Sequence, residues 1–301
     1  MIDLDRLTTE QRNAATLHID ELSVSDMLRT IHDEDRKVFE AVENALPMIA
    51  RAVEIIAVRL KKGGRLFYLG AGTSGRLGIL DAVECPPTFG TNPELVQGVI
   101  AGGMNAVFRA QEGAEDSLTL AQEDLRERGL SSLDVLCGIA ASGRTPYVVG
   151  GLGYARSLGA ATIAVACTPD SPIAALADVA ITAVTGPEVI TGSTRLKAGT
   201  AQKIILNMLS TGAMIRLGKV YGNLMVDVKS SNAKLEERAR RIVIEATGKS
   251  RAEAEEALVK ASGSAKLAIL MLLANLPAEE AQRQLDAADG YIRRALKGES
   301  S

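Results

Sequence analysis

Short apolar segments alternate with helical patterns through the middle of the chain. The segments occupy residues 65–69, 95–100, 135–140, 162–166 and 179–183. Each is apolar on both faces, which is typical of strands in a parallel sheet that helices cover on both sides. The pattern therefore predicts an α/β fold of three layers, in which a parallel sheet lies between two layers of helices.

Helical patterns also flank this region. Apolar residues recur at helical spacing from residue 25 to 62, where Pro47 predicts a division into two helices. A small C-terminal helical bundle is predicted from helical patterns at 251–261, 264–274, 277–285 and 291–296. The first 24 residues have no regular period and are predicted to form an extended arm that wraps a neighbour. The predicted domains are an arm (1–24), a sheet domain with flanking helices (25–247) and the bundle (248–301).

A glycine-rich loop with two hydroxyl residues follows the first predicted strand, at residues 70–76. Because a helix follows, its N-terminal amides and the hydroxyls of Thr73 and Ser74 can all donate to an anion. The glycines also match the dinucleotide fingerprint, but the second strand ends in Ala-Gly-Gly at 101–103, without the carboxylate that binds a ribose. The loop also lacks the Gly-Lys-Ser/Thr of a P-loop. A terminal phosphate is the predicted ligand, and a nicotinamide enzyme is the alternative.

Two further loops share features with the first. Residues 142–146 repeat its Ser-Gly-Arg sequence after the third strand, and the hydroxyl-rich stretch 191–195 opens a long helix that contains Lys197. For any one loop alone, ordinary helix capping by Ser or Thr is the simpler interpretation. Three such helix starts in one sheet favour a phosphorylated, hydroxylated ligand that is held from several sides.

Two glutamates follow the first loop in positions suited to acid–base chemistry. Glu84 precedes the proline pair at 86–87, which is predicted to stop its helix, and Glu115 follows Gly113. Both could reach the rim above the strand ends, where one carboxyl group can be a protonated acid and the other an ionised base. From spacing alone, the favoured interpretation is that Glu115 caps the next helix and Glu84 is solvated.

Composition narrows the classes of partner. The 301 residues carry 34 basic and 37 acidic side chains without a basic arm, so nucleic acid is not an expected partner. No apolar run reaches membrane-spanning length and the N-terminal residues lack a signal peptide's order, so a cytoplasmic protein without a membrane partner is expected. Two histidines and three widely spaced cysteines provide neither a zinc motif nor a Ser-His-Asp triad.

The longer motifs resemble those of one family. They are Gly70-Ala-Gly-Thr-Ser-Gly-Arg-Leu, Glu84-Cys-Pro-Pro-Thr-Phe-Gly90, Val99-Ile-Ala-Gly-Gly103, Gly138-Ile-Ala-Ala-Ser-Gly-Arg-Thr-Pro146, and Gly186-Pro-Glu188 through Thr200. From about Thr9 to the C-terminal helices, the chain resembles the N-acetylmuramic acid 6-phosphate etherases, sugar isomerase (SIS) domain enzymes of bacterial cell-wall recycling. The resemblance implies a SIS fold and cleavage of the lactyl ether at C3 of the phosphosugar. The implied products are N-acetylglucosamine 6-phosphate and D-lactate, with no cofactor.

The resemblance also implies roles for single residues. Glu84 is the implied general acid for the departing ether oxygen, and Glu115 is the implied base at C2. The implied substrate contacts are Thr73, Ser74, Ser142, Gly143, Thr145, Ser193 and Lys197, with Glu188 at the mouth of the site. Similar proteins are homodimers with sites near the subunit interface, so a homodimer is expected. A different function stays open, because SIS domains also serve as sensors that bind sugar phosphates without turnover.

Overall fold

The computed structural model describes residues 8–109, 111–227 and 233–299. These residues form two compact units. The first comprises the described residues up to Val83 together with Glu94–Ser210, and the second comprises Glu84–Pro93 with the described residues from Thr211 onward. The domain boundaries after residues 24 and 247 stay a prediction. Residues 1–7 of the predicted arm and 300–301 of the predicted bundle lie outside the described residues.

Parallel strands form the sheet of the first unit. They are β1 (Leu66–Gly70), β2 (Val96–Ile100), β3 (Val135–Ile139), β4 (Ala161–Ala166) and β5 (Val179–Thr182). They lie in the order β2-β1-β3-β4-β5, and each neighbouring pair is parallel. Every residue of β1, β3 and β4 is buried, as expected for strands with helices on both faces. The predicted α/β fold is confirmed, and the predicted strand bounds agree to within one residue.

Helices follow most of the strands. They are α1 (Val24–Asp35), α2 (Lys37–Lys61), α3 (Gly72–Phe89), α4 (Asn105–Phe108), α5 (Leu120–Glu127), α6 (Pro146–Ser157), α7 (Pro172–Ala175) and α8 (Lys197–Arg216). Single 3₁₀ turns lie at Ala14–Thr16, Ile19–Glu21, Pro93–Leu95 and Ala114–Asp116. The boundary between the two units falls within α3, between residues 83 and 84, and again within α8.

The second unit contains a short hairpin and a group of helices. They are β6 (Val220–Tyr221), β7 (Leu224–Met225), α9 (Ala233–Thr247), α10 (Arg251–Lys260), α11 (Ala265–Ala274), α12 (Ala278–Ala287) and α13 (Ile292–Lys297). Helix α11 places Ala268, Ile269 and Leu270 in a core that all five helices share. No single described helix is long and apolar enough to cross a membrane, although α10 and α11, bent by 114°, together meet the criteria of length and composition.

Pro47 and the proline pair at 86–87 lie within helices and do not end them. Pro47 lies within α2, and the break between α1 and α2 falls at Arg36 instead. Ala45 and Ile49 on either side of Pro47 are buried, so packing outweighs the loss of one backbone hydrogen bond. Helix α3 likewise continues through the proline pair at 86–87. The predictions that these prolines divide or stop their helices were wrong.

The described part of the predicted arm packs against its own unit. Asn13 Nδ2 donates to the carbonyl oxygen of Pro187 at 3.1 Å, and Thr16 Oγ1 donates to that of Val189 at 2.9 Å. The two 3₁₀ turns within this segment give it a folded conformation. The prediction of an extended arm is therefore wrong from residue 8 onward, and these hydrogen bonds are made to the arm's own chain.

Glycine allows α3 to begin directly against the end of β1. A Cβ atom at Gly75 would lie 2.6 Å from Ile100 Cγ1 and 2.8 Å from the carbonyl oxygen of Gly70. A Cβ atom at Gly70 would in turn lie 2.7 Å from the Gly75 nitrogen. Because one residue, Ala71, separates the end of β1 from the start of α3, the helix N-terminus is held at the carboxyl edge of the sheet.

Gly75→Ala is expected to lower the free energy of unfolding by about 1–3 kcal/mol, since the added methyl group overlaps backbone atoms that cannot move aside. Urea denaturation measures the change. The matched control is Gly153→Ala within α6, where a Cβ atom meets nothing within 4 Å. That control should be neutral or stabilising by up to about 1 kcal/mol. Equal stabilities of the Gly75→Ala variant and the wild type would contradict the close approach.

Candidate active site

A cavity of about 440 Å³ lies in the first unit at the carboxyl ends of β1 and β3. Its walls are the residues that follow these two strands, the turn at 114–116, Glu10 and Thr194. In a sheet with this strand order, the chain leaves β1 and β3 in opposite directions, which opens a crevice where ligands bind. We call this space the strand-end cavity.

The loop after β1 presents hydroxyl and amide donors to the strand-end cavity. Gly72, with a φ of +51°, begins α3, and the side chains of Thr73 and Ser74 line the cavity. The first amides of a helix have no carbonyl partner within it. Ser74 Oγ donates to Gln202 Oε1 at 2.8 Å, while the buried Gln202 Nε2 has no hydrogen-bond partner in the described chain. This wall therefore has donor capacity that the protein itself does not use.

The loop after β3 forms a second donor wall. Gly143, with a φ of +66°, closes a tight turn in which its amide donates to the carbonyl oxygen of Ala140 at 2.9 Å. A Cβ atom at Gly143 would lie 2.2 Å from Ser171 Cβ, so only glycine fits. Ser142 and Thr145 line the cavity, and the Thr145 side chain makes no capping bond to α6. Both hydroxyls therefore remain available to a ligand.

Three carboxylates also line the cavity. Glu115 and Asp116 lie on the exposed turn that follows Gly113, whose φ is +79°. Glu10 reaches the cavity from the N-terminal segment, and its Oε2 would be 3.1 Å from a Cβ atom at Gly192. Within the described residues, none of the three carboxylates forms an ion pair or a side-chain hydrogen bond. They can accept protons or hydroxyl hydrogen bonds from a ligand.

The structure brings half of the predicted site residues together. Those that line the cavity are Thr73, Ser74, Glu115, Ser142 and Thr145. Those outside its lining are Glu84, Gly143, Glu188, Ser193 and Lys197. Gly143 shapes the second wall through its turn, and Ser193 precedes the lining residue Thr194. Glu84, Glu188 and Lys197 lie outside the lining for different reasons.

Glu188 is a buried helix cap. It is 1% exposed, and its carboxylate accepts hydrogen bonds from the amides of Lys197 at 3.0 Å and Ala198 at 2.9 Å. Burial raises its pKa, which these two bonds oppose. A carboxylate at a helix N-terminus is favourable because it meets the positive end of the helix dipole. The structure therefore does not place Glu188 at the mouth of the cavity, where it was predicted.

Lys197 belongs to a buried ion-pair network. Its Nζ atom donates to Glu34 Oε2 at 2.6 Å, and both side chains are buried. Lys37 and Asn13 also donate to Glu34, at 2.6 and 2.7 Å. Burial opposes ionisation of Glu34, but these three donors outweigh it and lower its pKa from 4.5 to about 2. In this arrangement, the ammonium group of Lys197 stabilises the fold beside the cavity.

Glu84 is exposed on α3, twelve residues after the helix begins at Gly72. It belongs to the second unit, whereas all residues that line the cavity belong to the first. Within the described chain, no group of three or more His, Cys, Asp or Glu side chains is arranged to hold a metal ion.

Three family profiles match parts of the chain. They are the glucokinase regulatory protein N-terminal SIS domain over residues 48–156, the SIS domain over 113–212, and the C-terminal lid domain of glucokinase regulatory protein over 222–266. The SIS matches include the sheet and the loops that line the strand-end cavity. They confirm the SIS fold.

Curated relatives match over the full length. An N-acetylmuramic acid 6-phosphate etherase from Clostridium beijerinckii is 57% identical, across 98% of this chain and 97% of that protein. One from Photobacterium profundum is 59% identical, across 98% of both. The chain belongs to the N-acetylmuramic acid 6-phosphate etherase family. A solved phosphoheptose isomerase from Neisseria gonorrhoeae is also similar, with a TM-score of 0.49 and 17% identity, and the match covers 64% of this chain and 98% of that chain.

The polar or charged cavity residues that were not predicted as site residues from the sequence are Glu10, Asp116, Arg144 and Thr194. Arg144 and Thr194 belong to the hydroxyl-rich loops, so the repeated Ser-Gly-Arg and the 191–195 stretch already pointed to them. Asp116 is adjacent to Glu115. Glu10 carried no such signal, because its place depends on packing between segments about 180 residues apart.

The buried carboxylate of Glu34 makes the stability of the fold dependent on pH. The pKa of Glu34 is lower in the folded chain than in the unfolded chain. Its contribution to the free energy of unfolding is therefore complete above its ordinary pKa, and it is lost as the pH falls through the lowered pKa of the folded chain. We expect the stability advantage of the wild type over Glu34→Gln to shrink by up to about 3 kcal/mol between about pH 5 and about pH 2.

Urea denaturation across this pH range measures the difference. The exposed glutamate Glu40 on α2 supplies the matched control, and Glu40→Gln should follow the pH dependence of the wild type. A wild-type advantage over Glu34→Gln that stays constant down to pH 2 would show that Glu34 is not held ionised by Lys197.

Proposed function

We propose that this protein cleaves the D-lactyl ether of N-acetylmuramic acid 6-phosphate, giving N-acetylglucosamine 6-phosphate and D-lactate. One observation carries the proposal: in a chain 57–59% identical to curated etherases, Glu115 lines the same cavity as two hydroxyl-rich helix starts. These are the two kinds of group that the reaction needs, a base and a seat for a phosphate.

The 6-phosphate binds between the two donor walls in this proposal. The hydroxyls of Thr73, Ser74, Ser142 and Thr145 donate to it, together with the first amides of α3 and α6. The side-chain amide of Gln202 supports this role for Ser74. If that amide turns over, Nε2 donates to Ser74 Oγ, and the Ser74 hydroxyl hydrogen becomes free to donate to the phosphate.

Glu115 is the proposed base at C2. In the open-chain sugar, the aldehyde at C1 acidifies the C2 proton, and an ionised carboxylate can remove it. The C2–H electron pair then forms the C2–C3 double bond as the C3–O bond breaks, and the lactate oxygen takes a proton from an acid. Water next adds across the double bond, with its hydroxyl at C3 and a proton at C2. A correctly placed acid or base contributes about 10²- to 10⁴-fold in rate.

Glu84 is the proposed acid for the lactate oxygen. Because Glu84 is exposed and the resemblance implies a site near the interface of a homodimer, we propose that a second subunit supplies it. Gly143, Glu188, Ser193 and Lys197 then act indirectly, by holding the loops that carry the lining hydroxyls. The proposed setting is the cytoplasm, with the phosphosugar rather than a nucleic acid or a membrane as the partner.

A sugar-phosphate sensor is the second candidate. The profile matches to glucokinase regulatory protein domains favour it, since regulators with SIS domains exist. A sensor would use the same phosphate seat, but it would bind the ligand without turnover and without need of Glu115. The full-length identity to etherases favours the enzyme.

Purified protein incubated with N-acetylmuramic acid 6-phosphate is expected to release D-lactate. Exchange of the C2 hydrogen with deuterated solvent distinguishes the roles of the two glutamates. Glu115→Gln should lose both lactate release and C2–H exchange, each by about 10²-fold or more. Glu84→Gln should lose lactate release but retain exchange, because only the leaving group lacks its proton. The exposed Glu112, outside the cavity, offers Glu112→Gln as a control of unchanged activity.

Two results would contradict this assignment. Folded wild-type protein that binds the substrate but releases no D-lactate would favour the sensor. Loss of C2–H exchange in Glu84→Gln, with exchange retained in Glu115→Gln, would reverse the two roles.

A heterodimer tests whether the two glutamates of one site come from different subunits. One subunit carries Glu84→Gln, the other carries Glu115→Gln, and two affinity tags isolate the mixed species. If the site combines both subunits, one of its two sites retains both glutamates, and about half of the wild-type activity is expected. Activity as low as that of either mutant homodimer would mean that each chain supplies both glutamates to its own site.

A further inference from the structure

Arg144 is the one basic residue among the described residues that line the strand-end cavity. It lies between Ser142 and Thr145 on the second donor wall, and its side chain is exposed. Within the described chain, its guanidinium group forms no ion pair and no hydrogen bond. Its backbone is nevertheless fixed, because its amide contacts Ser142 Oγ at 3.4 Å and Gly143 can only be glycine. An unpaired cation on a rigid turn is thus presented to the ligand.

Without Arg144, every charged residue among the described lining residues would be negative, and the cavity would repel an anionic substrate. The substrate in the proposed function, on which this inference rests, carries two anionic groups, the 6-phosphate and the lactyl carboxylate. The cavity itself carries three carboxylates, Glu10, Glu115 and Asp116. A second anion placed near them would be repelled unless a cation compensates for it.

The phosphate has its own donors. Four of the five lining hydroxyls, all except that of Thr194, and the first amides of two helices are neutral donors that follow the strand ends. The lactyl carboxylate has no comparable set of donors among the described lining residues. The guanidinium fork of arginine can donate two parallel hydrogen bonds to a carboxylate, which gives directional selectivity as well as charge.

We propose that Arg144 binds the lactyl carboxylate and thereby distinguishes the ether substrate from sugar phosphates that lack the lactyl group. Arg144 is then a specificity-determining residue of the proposed reaction. Its pairing with the carboxylate also fixes the direction in which the ether oxygen leaves C3.

A comparison of two ligands distinguishes binding of the lactyl carboxylate by Arg144 from binding of the phosphate. N-acetylmuramic acid 6-phosphate carries both anions, whereas N-acetylglucosamine 6-phosphate carries the phosphate alone. Calorimetry in the Glu115→Gln background, which prevents turnover, gives both dissociation constants. Adding Arg144→Met should weaken the first ligand by about 10- to 100-fold, the range for a hydrogen-bonded charge pair, and the second by less than about 3-fold. Arg144→Lys should restore part of the loss, because it keeps the charge but not the fork.

The control is Arg156→Met, exposed, outside the cavity and near the C-terminal end of α6, the helix that begins two residues after Arg144. It should leave both dissociation constants unchanged. Equal weakening of both ligands by Arg144→Met would show that Arg144 contacts the phosphate, and no weakening of either would show that it contacts neither anion. Each result overturns the proposal.

The failure of this inference is distinguishable from failure of the proposed function. Wild-type protein that releases D-lactate while Arg144→Met binds both ligands normally would overturn the inference alone. Wild-type protein that binds N-acetylglucosamine 6-phosphate but neither binds nor cleaves the lactyl ether would overturn both.

Discussion

The packing of α3 against the end of β1 is the constraint on which the site depends. Gly70 and Gly75 approach so closely that neither position has room for a side chain, and Gly143 is similarly confined by Ser171 after β3. Two helices consequently begin at the same edge of the sheet, and residues at both helix starts line one cavity. The proposed phosphate seat would thus be a consequence of backbone geometry, which leaves the side chains around it for chemistry.

Neutral donors in the seat also suit the chemistry proposed for the rest of the cavity. A base at C2 must be ionised, and an adjacent phosphate carrying nearly two negative charges would favour its protonation. In the proposed site, hydroxyls and helix amides would disperse the phosphate charge without pairing with Glu115, which lies on a separate turn. Arg144, the one positive charge among the described lining residues, would then meet the second anion of the substrate. The basic group of Lys197 is instead paired with Glu34, and this buried pair holds the start of α8.

Local sequence predicted the elements that depend on local patterns. Strands buried on both faces appear as short apolar runs, so β1 to β5 were found to within one residue, and the loops after β1 and β3 indicated the ligand. The helix ends predicted at Pro47 and at the prolines of α3 were wrong, because packing on either side of these prolines outweighs the cost of a proline inside a helix. The buried partners of Glu188 and Lys197 were not predicted, for a different reason, and the predicted substrate contacts of these two residues stay a prediction. Whether a charged side chain faces a ligand or a buried partner depends on residues far away in sequence, here Glu34 at a separation of 163 residues. Glu10 was not predicted for the same reason, since its place in the cavity depends on residues far away in sequence.

A crystal structure of the Glu115→Gln variant with N-acetylmuramic acid 6-phosphate tests the central claim most directly. The account predicts phosphate oxygens within about 3.2 Å of the hydroxyls of Thr73, Ser74, Ser142 and Thr145. We also expect C2 of the sugar to lie within reach of the side chain at position 115. A phosphate bound away from the two helix starts, or a sugar whose C2 points away from position 115, would contradict it.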